Sequence, residues 1–351
     1  MQQRANFFLG SKTKKGFYSF FEQLQDEKQI ERVYLLKGGP GCGKSTLMRQ
    51  IGTALEQKGK RLVWIPCARD PESLDSMIDL DARTAIVDAT APHTLDPKLP
   101  GAVETVLDVG NFWREEDLRN HRAAIIRLNQ AISNCHQRAG ALVCSGERLL
   151  DWNYKMAKRY VDAAAMQKEA QAILSRLEPE QAPRVYKGLL SAVSVGEVKF
   201  LNQTFDAMCD RVYTIIDDWG AASDDLMHKL LDGAIAKGLT VIVCYCSIGA
   251  GERIDHLIFP KQRVGVSHIN DYHAVNHPDT VLVPNWMNPI EEEEREPMWE
   301  MGDLAMELID QATQEVLQAK HIHDELEDIY KKAMDFTKVS QLQSKVLEQW
   351  G

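Results

Sequence analysis

The most informative residues of the sequence form a glycine-rich run that ends in a lysine and two hydroxyl side chains. The run fits the pattern G-x-x-x-x-G-K-S/T, in which backbone N–H groups surround the phosphates of a nucleotide. In that pattern the lysine reaches the β- and γ-phosphates and the first hydroxyl ligates Mg²⁺. The sequence therefore predicts a site for ATP and Mg²⁺ made by Gly38, Gly39, Pro40, Gly41, Cys42, Gly43, Lys44, Ser45 and Thr46.

The residues on either side of this run support the same interpretation. Residues 32–36 are a short apolar and β-branched run typical of a buried strand. Residues 45–58 place Leu47, Ile51 and Leu55 on one face of a predicted helix. The glycines thus lie between a strand and the start of a helix, where the partial positive charge of the helix favours an anion.

Two further carboxylates are predicted to complete the catalytic chemistry with Lys44. Asp88 ends the apolar run 84–87 and is our candidate for the acid that holds Mg²⁺ through water, beside Ser45. Several ATPase families place a glutamate directly after this aspartate, whereas Ala89 follows in this chain. Asp96 and His93 are therefore our candidates for positioning the attacking water, followed by Glu104 and Asp108, and we expect turnover to be slow.

The chain also contains a diverged tandem repeat at an offset of 179 residues. Val33 then corresponds to Val212 and Gly41 to Gly220, without gaps between them. Opposite the Lys-Ser-Thr end of the loop, the second copy carries Ser223, Asp224 and Asp225. Two carboxylates there would repel a triphosphate, so the second copy is predicted to bind no nucleotide. Asp224 and Asp225 are expected to cap a helix instead.

Other positions of the repeat separate active-site chemistry from structure. With a slip of one residue, His93 corresponds to His273 and Asp96 to Asn276, so the imidazole is kept while the negative charge is lost. We therefore expect His93 to serve the fold and Asp96 to serve turnover. By the gapless offset, Ser267 stands where the first copy has Asp88.

These patterns predict an α/β protein of two tandem P-loop NTPase-like units with parallel sheets, the second unit degenerate. The predicted division is 1–178 and 179–351. Each sheet is expected to precede a long helical region, at about 115–176 and 295–349.

Composition and charge indicate which partners and which cellular compartment to expect. The net charge of −10 argues against a general nucleic-acid-binding surface. The beginning of the chain lacks the apolar core of a signal peptide, and no segment approaches the roughly 20 apolar residues of a membrane span. Seven scattered cysteines suit a reducing compartment. We expect a cytoplasmic protein without a membrane partner.

The chain resembles a family of bacterial P-loop ATPases that has two tandem nucleotide-binding-like halves and no assigned cellular role. The resemblance spans nearly the whole chain and is carried by residues 38–46, Asp88 and residues 91–98. It implies the architecture of two halves and an ATPase reaction. It implies no pathway.

Three functions fit these observations. The first is a slow Mg²⁺-dependent ATPase with one active site and a regulatory or structural second half. The second is a small-molecule kinase, for which arginines after Trp113 would form a lid, namely Arg114, Arg119, Arg122 and Arg127. The third is a nucleotide-controlled module whose long helices bind a protein partner.

Replacing Lys44 with Ala should weaken triphosphate binding and leave the fold intact. The substitution removes charge-assisted hydrogen bonds worth about 1.5–3 kcal/mol, which corresponds to about one to two decades in affinity. The matched change Ser223→Ala should leave binding nearly unchanged. Calorimetric titration with Mg-ATP measures both variants, and equal losses would contradict the assignment of the working loop.

Overall fold

The structure is a computed structural model that describes residues 4–13, 16–249 and 251–350. The chain divides into two compact units, neither of which is a continuous half of the sequence. The loop unit comprises 19–138, 194–196 and 314–351, and it contains the glycine loop at residues 38–46. The copy unit comprises 1–18, 139–193 and 197–313, and it contains the second copy of the repeat.

Strands and helices alternate along much of the chain. The strands are β1 (Ala5–Asn6), β2 (Gly10–Thr13), β3 (Gly16–Ser19), β4 (Arg32–Lys37), β5 (Leu62–Pro66), β6 (Leu74–Asp79), β7 (Thr84–Asp88), β8 (Glu104–Asp108), β9 (Val185–Gly188), β10 (Ser191–Val193), β11 (Val198–Phe200), β12 (Arg211–Ile216), β13 (Val241–Tyr245), β14 (Ile254–Phe259), β15 (Val264–Ile269) and β16 (Thr280–Leu282). The α-helices are α1 (Lys44–Gln57), α2 (Glu115–Asn120), α3 (Arg122–Lys158), α4 (Ala163–Leu174), α5 (Gln203–Met208), α6 (Ala221–Lys237), α7 (Glu292–Ala333) and α8 (Phe336–Gln349). The two predicted helical regions are confirmed. Of the helices formed by the described residues, none has the length and apolar character that crossing a membrane requires.

The sheet of the loop unit is mixed, so the prediction of a parallel sheet is wrong. Its strands in this unit have the order β5-β6-β7-β4-β8, with β4 parallel to both β7 and β8. Strand β6 is antiparallel to β5 and β7. The sequence prediction missed β6 because Asp75 and Ser76 interrupt its apolar residues. Since only four residues separate β6 from β7, the chain must turn straight back into an antiparallel pair.

The copy unit repeats this strand order. Its sheet runs β16-β12-β15-β14-β13-β9, in which the first five strands correspond to β8, β4, β7, β6 and β5. Strand β12 is parallel to β15 and β16, and β14 is antiparallel to β13 and β15. The α/β layout with two similar sheets, each followed by helices, agrees with the predicted tandem arrangement.

Helix α1 holds the glycine loop against the sheet of the loop unit. Its predicted apolar face is buried, and Leu47, Ile51 and Leu55 belong to the core of this unit. Gly52 lies on the same face and is crossed by the indole of Trp64 from β5. A Cβ atom on Gly52 would lie 2.3 Å from that ring, so the helix can sit this close to the sheet only because residue 52 has no side chain.

The substitution Gly52→Ala should therefore destabilise the loop unit. Alanine is the better helix former, but forcing a methyl group into packed space costs about 1–3 kcal/mol. Thr53→Ala, on the exposed face of α1, is the matched control and should change the free energy of unfolding little. Denaturant unfolding compares the two. A Gly52→Ala variant as stable as the wild type would show that α1 does not depend on this close approach.

Candidate functional site

The glycine loop adopts a conformation that only glycine satisfies at two positions. Gly41 has φ of 64° and Gly43, which precedes the first residue of α1, has φ of 87°. A Cβ atom on Gly41 would also lie 2.7 Å from the carbonyl oxygen of Glu327. Left-handed backbone and close approach together explain why these positions are glycine. The loop thus leads into the N-terminus of α1, and its residues line the adjoining pocket.

Lys44 lies at the centre of the loop. Its Nζ donates hydrogen bonds to the carbonyl oxygens of Gly38 at 2.9 Å and Gly39 at 2.8 Å. The same ammonium lies 3.5 Å from Oδ2 of Asp88, and both side chains are largely buried. The geometry brings the predicted lysine and the predicted acid together.

Ser45 and Asp88 each keep local partners as well. The Ser45 hydroxyl accepts a hydrogen bond of 2.9 Å from the backbone N–H of Leu74, at the start of β6. Asp88 accepts bonds from the backbone N–H and the hydroxyl of Thr90. Ser45 and Asp88 both line the same pocket, so the two predicted Mg²⁺ ligands face one space.

This pocket belongs entirely to the loop unit and has a volume of about 920 Å³. Such a volume suits a ligand of nucleotide size, since small-molecule pockets measure about 300–1,000 Å³. The glycine loop lines one side, and residues of α3, α7 and α8 line others. The basic side chains that face the pocket are Lys44, Arg49, Arg69, Lys320 and Lys331. Among its described lining residues, none is an arginine of the predicted lid.

A carboxylate that sequence reasoning missed also lines the pocket. Asp75, on β6, is 8% exposed, and its Oδ1 lies 3.4 Å from Nε2 of His93. Burial raises the pKa of Asp75 above its usual range, and the negative charge of Asp88 adds to the rise, while His93 opposes it. A carboxyl group with a raised pKa in the wall of such a pocket is a candidate for accepting a proton. Asp75 could have been identified from the sequence if residues 74–79 had been recognised as a strand.

The side chain of Asp96, unlike those of Lys44 and Asp88, does not line the pocket. Its side chain is 82% exposed and forms an ion pair of 3.2 Å with Lys37. Lys37 also donates hydrogen bonds to the carbonyl oxygens of Ala89 and Leu95, so it fastens the segment that follows β7. The described residues that line the pocket include Lys44 and Asp88 but not Asp96. The geometry therefore gives Asp96 a role in the loop structure and gives no contact with the pocket.

The equivalent helix start in the copy unit is filled by a side chain of the protein itself. By the repeat offset Asp217 corresponds to Gly38, and its carboxylate is 1% exposed. Oδ2 of Asp217 accepts hydrogen bonds from the backbone N–H groups of Ala222 at 2.8 Å and Ser223 at 2.9 Å. Oδ1 accepts a third from Trp219 at 3.2 Å. The carboxylate thus takes the position at the N-terminus of α6 that an anion would take.

The predicted capping carboxylates have other partners. Asp224 corresponds to Ser45, and its Oδ1 accepts a bond of 3.0 Å from the N–H of Ile254, just as Ser45 accepts one from Leu74. Asp225 forms an ion pair with Lys229 one turn along α6. The expectation that these two residues cap the helix is therefore wrong, because Asp217 already satisfies the N–H groups at its start.

The strand register also corrects the counterpart of Asp88. Leu36 pairs with Asp88, and Ile215, its equivalent in the copy unit, pairs with His268. The residue equivalent to Asp88 is therefore His268 and not Ser267. Nε2 of His268 lies 2.7 Å from the carbonyl oxygen of Asp217. An imidazole has replaced the acid at the end of this strand.

The loop unit thus joins backbone donors, a lysine, a hydroxyl and several carboxylates, among them Asp75 and Asp88, around one pocket. Such a set is suited to binding and polarising a phosphate group. The sequence predicts a catalytic role for two of these residues, Lys44 and Asp88, but not for Asp75. Comparisons of the chain with protein-family models, curated proteins and solved structures found no match.

Replacing Asp217 with Ala should destabilise the copy unit by about 1–3 kcal/mol, because buried N–H groups lose their acceptor. Sulfate or phosphate should restore part of this loss, since either anion can replace the carboxylate at the helix N-terminus. Thermal unfolding with and without sulfate measures both effects. Asp218→Ala, at the exposed neighbouring residue, is the control and should show neither effect. An Asp217→Ala variant with wild-type stability would remove the capping role.

Proposed function

We propose that the loop unit binds one Mg²⁺–nucleoside triphosphate, ATP by preference, and hydrolyses it slowly, while the copy unit binds none. The observation that carries this proposal is the contrast between two equivalent helix starts. At α1 the glycine loop borders a pocket of about 920 Å³, whereas at α6 the carboxylate of Asp217 takes the backbone donors. One anion site per chain follows from that contrast.

Lys44 and the backbone of the loop would hold the β- and γ-phosphates. Lys44 now bonds to Gly38 and Gly39, and it would exchange these carbonyl oxygens for phosphate oxygens. The Ser45 hydroxyl would ligate Mg²⁺ directly and Asp88 would hold it through water. The pocket also contains carboxylates, so a triphosphate depends on the divalent cation to screen their negative charge.

Asp75 is the group best placed to orient the attacking water. It lies in the pocket wall, and burial raises its pKa toward the range in which a carboxylate accepts a proton. His93, at 3.4 Å, fixes the direction of the carboxylate. Asp75, which lines the pocket, thus takes the role predicted from the sequence for Asp96.

The proposal is tested with the full chain by titration calorimetry with Mg-ATP and by following phosphate and ADP separately. We expect one nucleotide per chain and slow phosphate release without an added acceptor. ADP formation that depends on a metabolite acceptor would favour a kinase, and tight binding without turnover would favour a nucleotide-controlled binding module. Two comparable sites per chain would contradict the proposal.

Asp75→Asn should lower turnover by roughly a hundredfold or more, the usual contribution of a general base, and leave nucleotide affinity nearly unchanged. In the wild type, turnover should fall on the acid side as Asp75 gains a proton. Because burial raises its pKa, this decline should lie above the ordinary aspartate pKa of about 3.9. The variant should lose the decline. Steady-state rates against pH test this, and a larger loss in Asp96→Asn than in Asp75→Asn would return the role to Asp96.

A further inference from the structure

Three polar side chains converge inside the copy unit. Asp255 and His256 are consecutive on β14, and His273 follows β15. They are 6%, 0% and 5% exposed. Each offers a ligand atom, and these atoms lie within 4.8 Å of one another. Atoms held tetrahedrally by one zinc ion at about 2.0–2.2 Å lie about 3.3–3.6 Å apart, which is within this limit.

Each of these three side chains also has one atom without a hydrogen-bond partner among the residues that the structure describes. These atoms are Oδ2 of Asp255, Nε2 of His256 and Nδ1 of His273. A buried polar atom without a hydrogen bond costs about 1–3 kcal/mol, so three in one place call for an explanation. The rings of His256 and His273 pack against Phe200, at centroid distances of 5.3 Å and 5.1 Å. Their immediate surroundings are therefore largely apolar on this side.

The hydrogen bonds of Ser267 favour a proton on Nδ1 of His256. The Ser267 hydroxyl can donate to the carbonyl oxygen of His268 at 3.3 Å, and its oxygen can then accept from Nδ1–H of His256 at 2.8 Å. Nε2 of His256 then carries a lone pair. A histidine that ligates a metal is oriented in this way, by an outer partner on its second nitrogen.

The carboxylate of Asp255 and the two imidazoles are also in forms that can ligate a metal ion. Nδ1 of His268 lies 3.7 Å from Oδ1 of Asp255, which leaves Oδ2 on the other side of the carboxylate. Burial lowers the pKa of His256 well below its usual range and that of His273 to about 4, so both imidazoles are neutral near pH 7. Neutral imidazole is the form that ligates metal.

We propose that Asp255, His256 and His273 bind a divalent transition-metal ion, zinc by preference, that stabilises the copy unit. Two imidazoles and a carboxylate are ligands of zinc and of its transition-metal neighbours, whereas magnesium and calcium take oxygen ligands. One ion satisfies all three unpartnered atoms. The site is specific to this copy, because the loop unit has Asp75 and His93 at two of the positions but Ser76 in place of His256.

The test uses the full chain without a polyhistidine tag. Metal content after purification, and Zn²⁺ titration of chelator-treated protein against a chromophoric chelator, give the stoichiometry and affinity. We expect one tightly held ion per chain and a higher unfolding temperature with Zn²⁺ than after chelation. His256→Gln and His273→Gln should each weaken Zn²⁺ binding by more than the roughly 10–100-fold that loss of an outer partner costs.

Two control variants and one variant of an outer hydrogen-bond partner test whether the three proposed ligands form the tight site. His93→Gln, at the equivalent imidazole of the loop unit, and His323→Gln, in the cluster of His323, Asp324 and Glu327, should leave the tight site unchanged. Ser267→Ala should fold and weaken binding by about 10–100-fold, because His256 loses its orienting partner. Wild-type protein that takes up neither Zn²⁺ nor Co²⁺, or loss of the tight site only in His93→Gln or His323→Gln, would overturn the proposal.

Discussion

The unsatisfied N–H groups at the start of a helix are the constraint on which both copies of the repeat depend. Such a helix start needs an acceptor, and a negative charge there is favoured by the helix dipole. In the copy unit the acceptor is a side chain of the same unit, the carboxylate of Asp217. In the loop unit the equivalent residue is Gly38, which has no side chain to cap α1. One residue at this position thus separates a helix capped by its own chain from a helix that, we propose, binds a phosphate group.

Much of the loop unit could be predicted because its chemistry lies in a continuous run of sequence. The strand, the glycine loop and the buried face of α1 follow from short-range spacing, and the fold confirms that Leu47, Ile51 and Leu55 are buried. The antiparallel strands could not be recognised in the same way. Asp75 and Ser76 in one copy, like Asp255 and His256 in the other, break the apolar pattern. Asp75 lines the pocket, and Asp255 and His256 belong to the buried polar cluster, so three of the residues that hid the strands are ones to which we assign a proposed role.

Two expectations about single residues differ from what the structure suggests for a related reason. Sequence spacing favours Asp96 because it is an acid near Asp88 along the chain, but its side chain leaves the segment on the solvent side and pairs with Lys37. A gapless offset makes Ser267 the counterpart of Asp88, whereas the pairing of His268 with Ile215 shows that the one-residue slip has already occurred before this position. Asp217, by contrast, could have been found, since the gapless offset places it opposite Gly38. Sequence spacing gives neighbours along a strand, whereas contacts across a sheet need the register.

The contrast between the two helix starts is tested most directly by a crystal structure of the full chain grown with Mg²⁺ and a non-hydrolysable triphosphate analogue. We expect one nucleotide per chain, with its β-phosphate bonded to the backbone N–H groups of the loop around Gly41 and Gly43. The carboxylate of Asp217 should still accept from the N–H groups of Ala222 and Ser223. A nucleotide at the start of α6, or one bound away from the glycine loop, would contradict the assignment of the two helix starts.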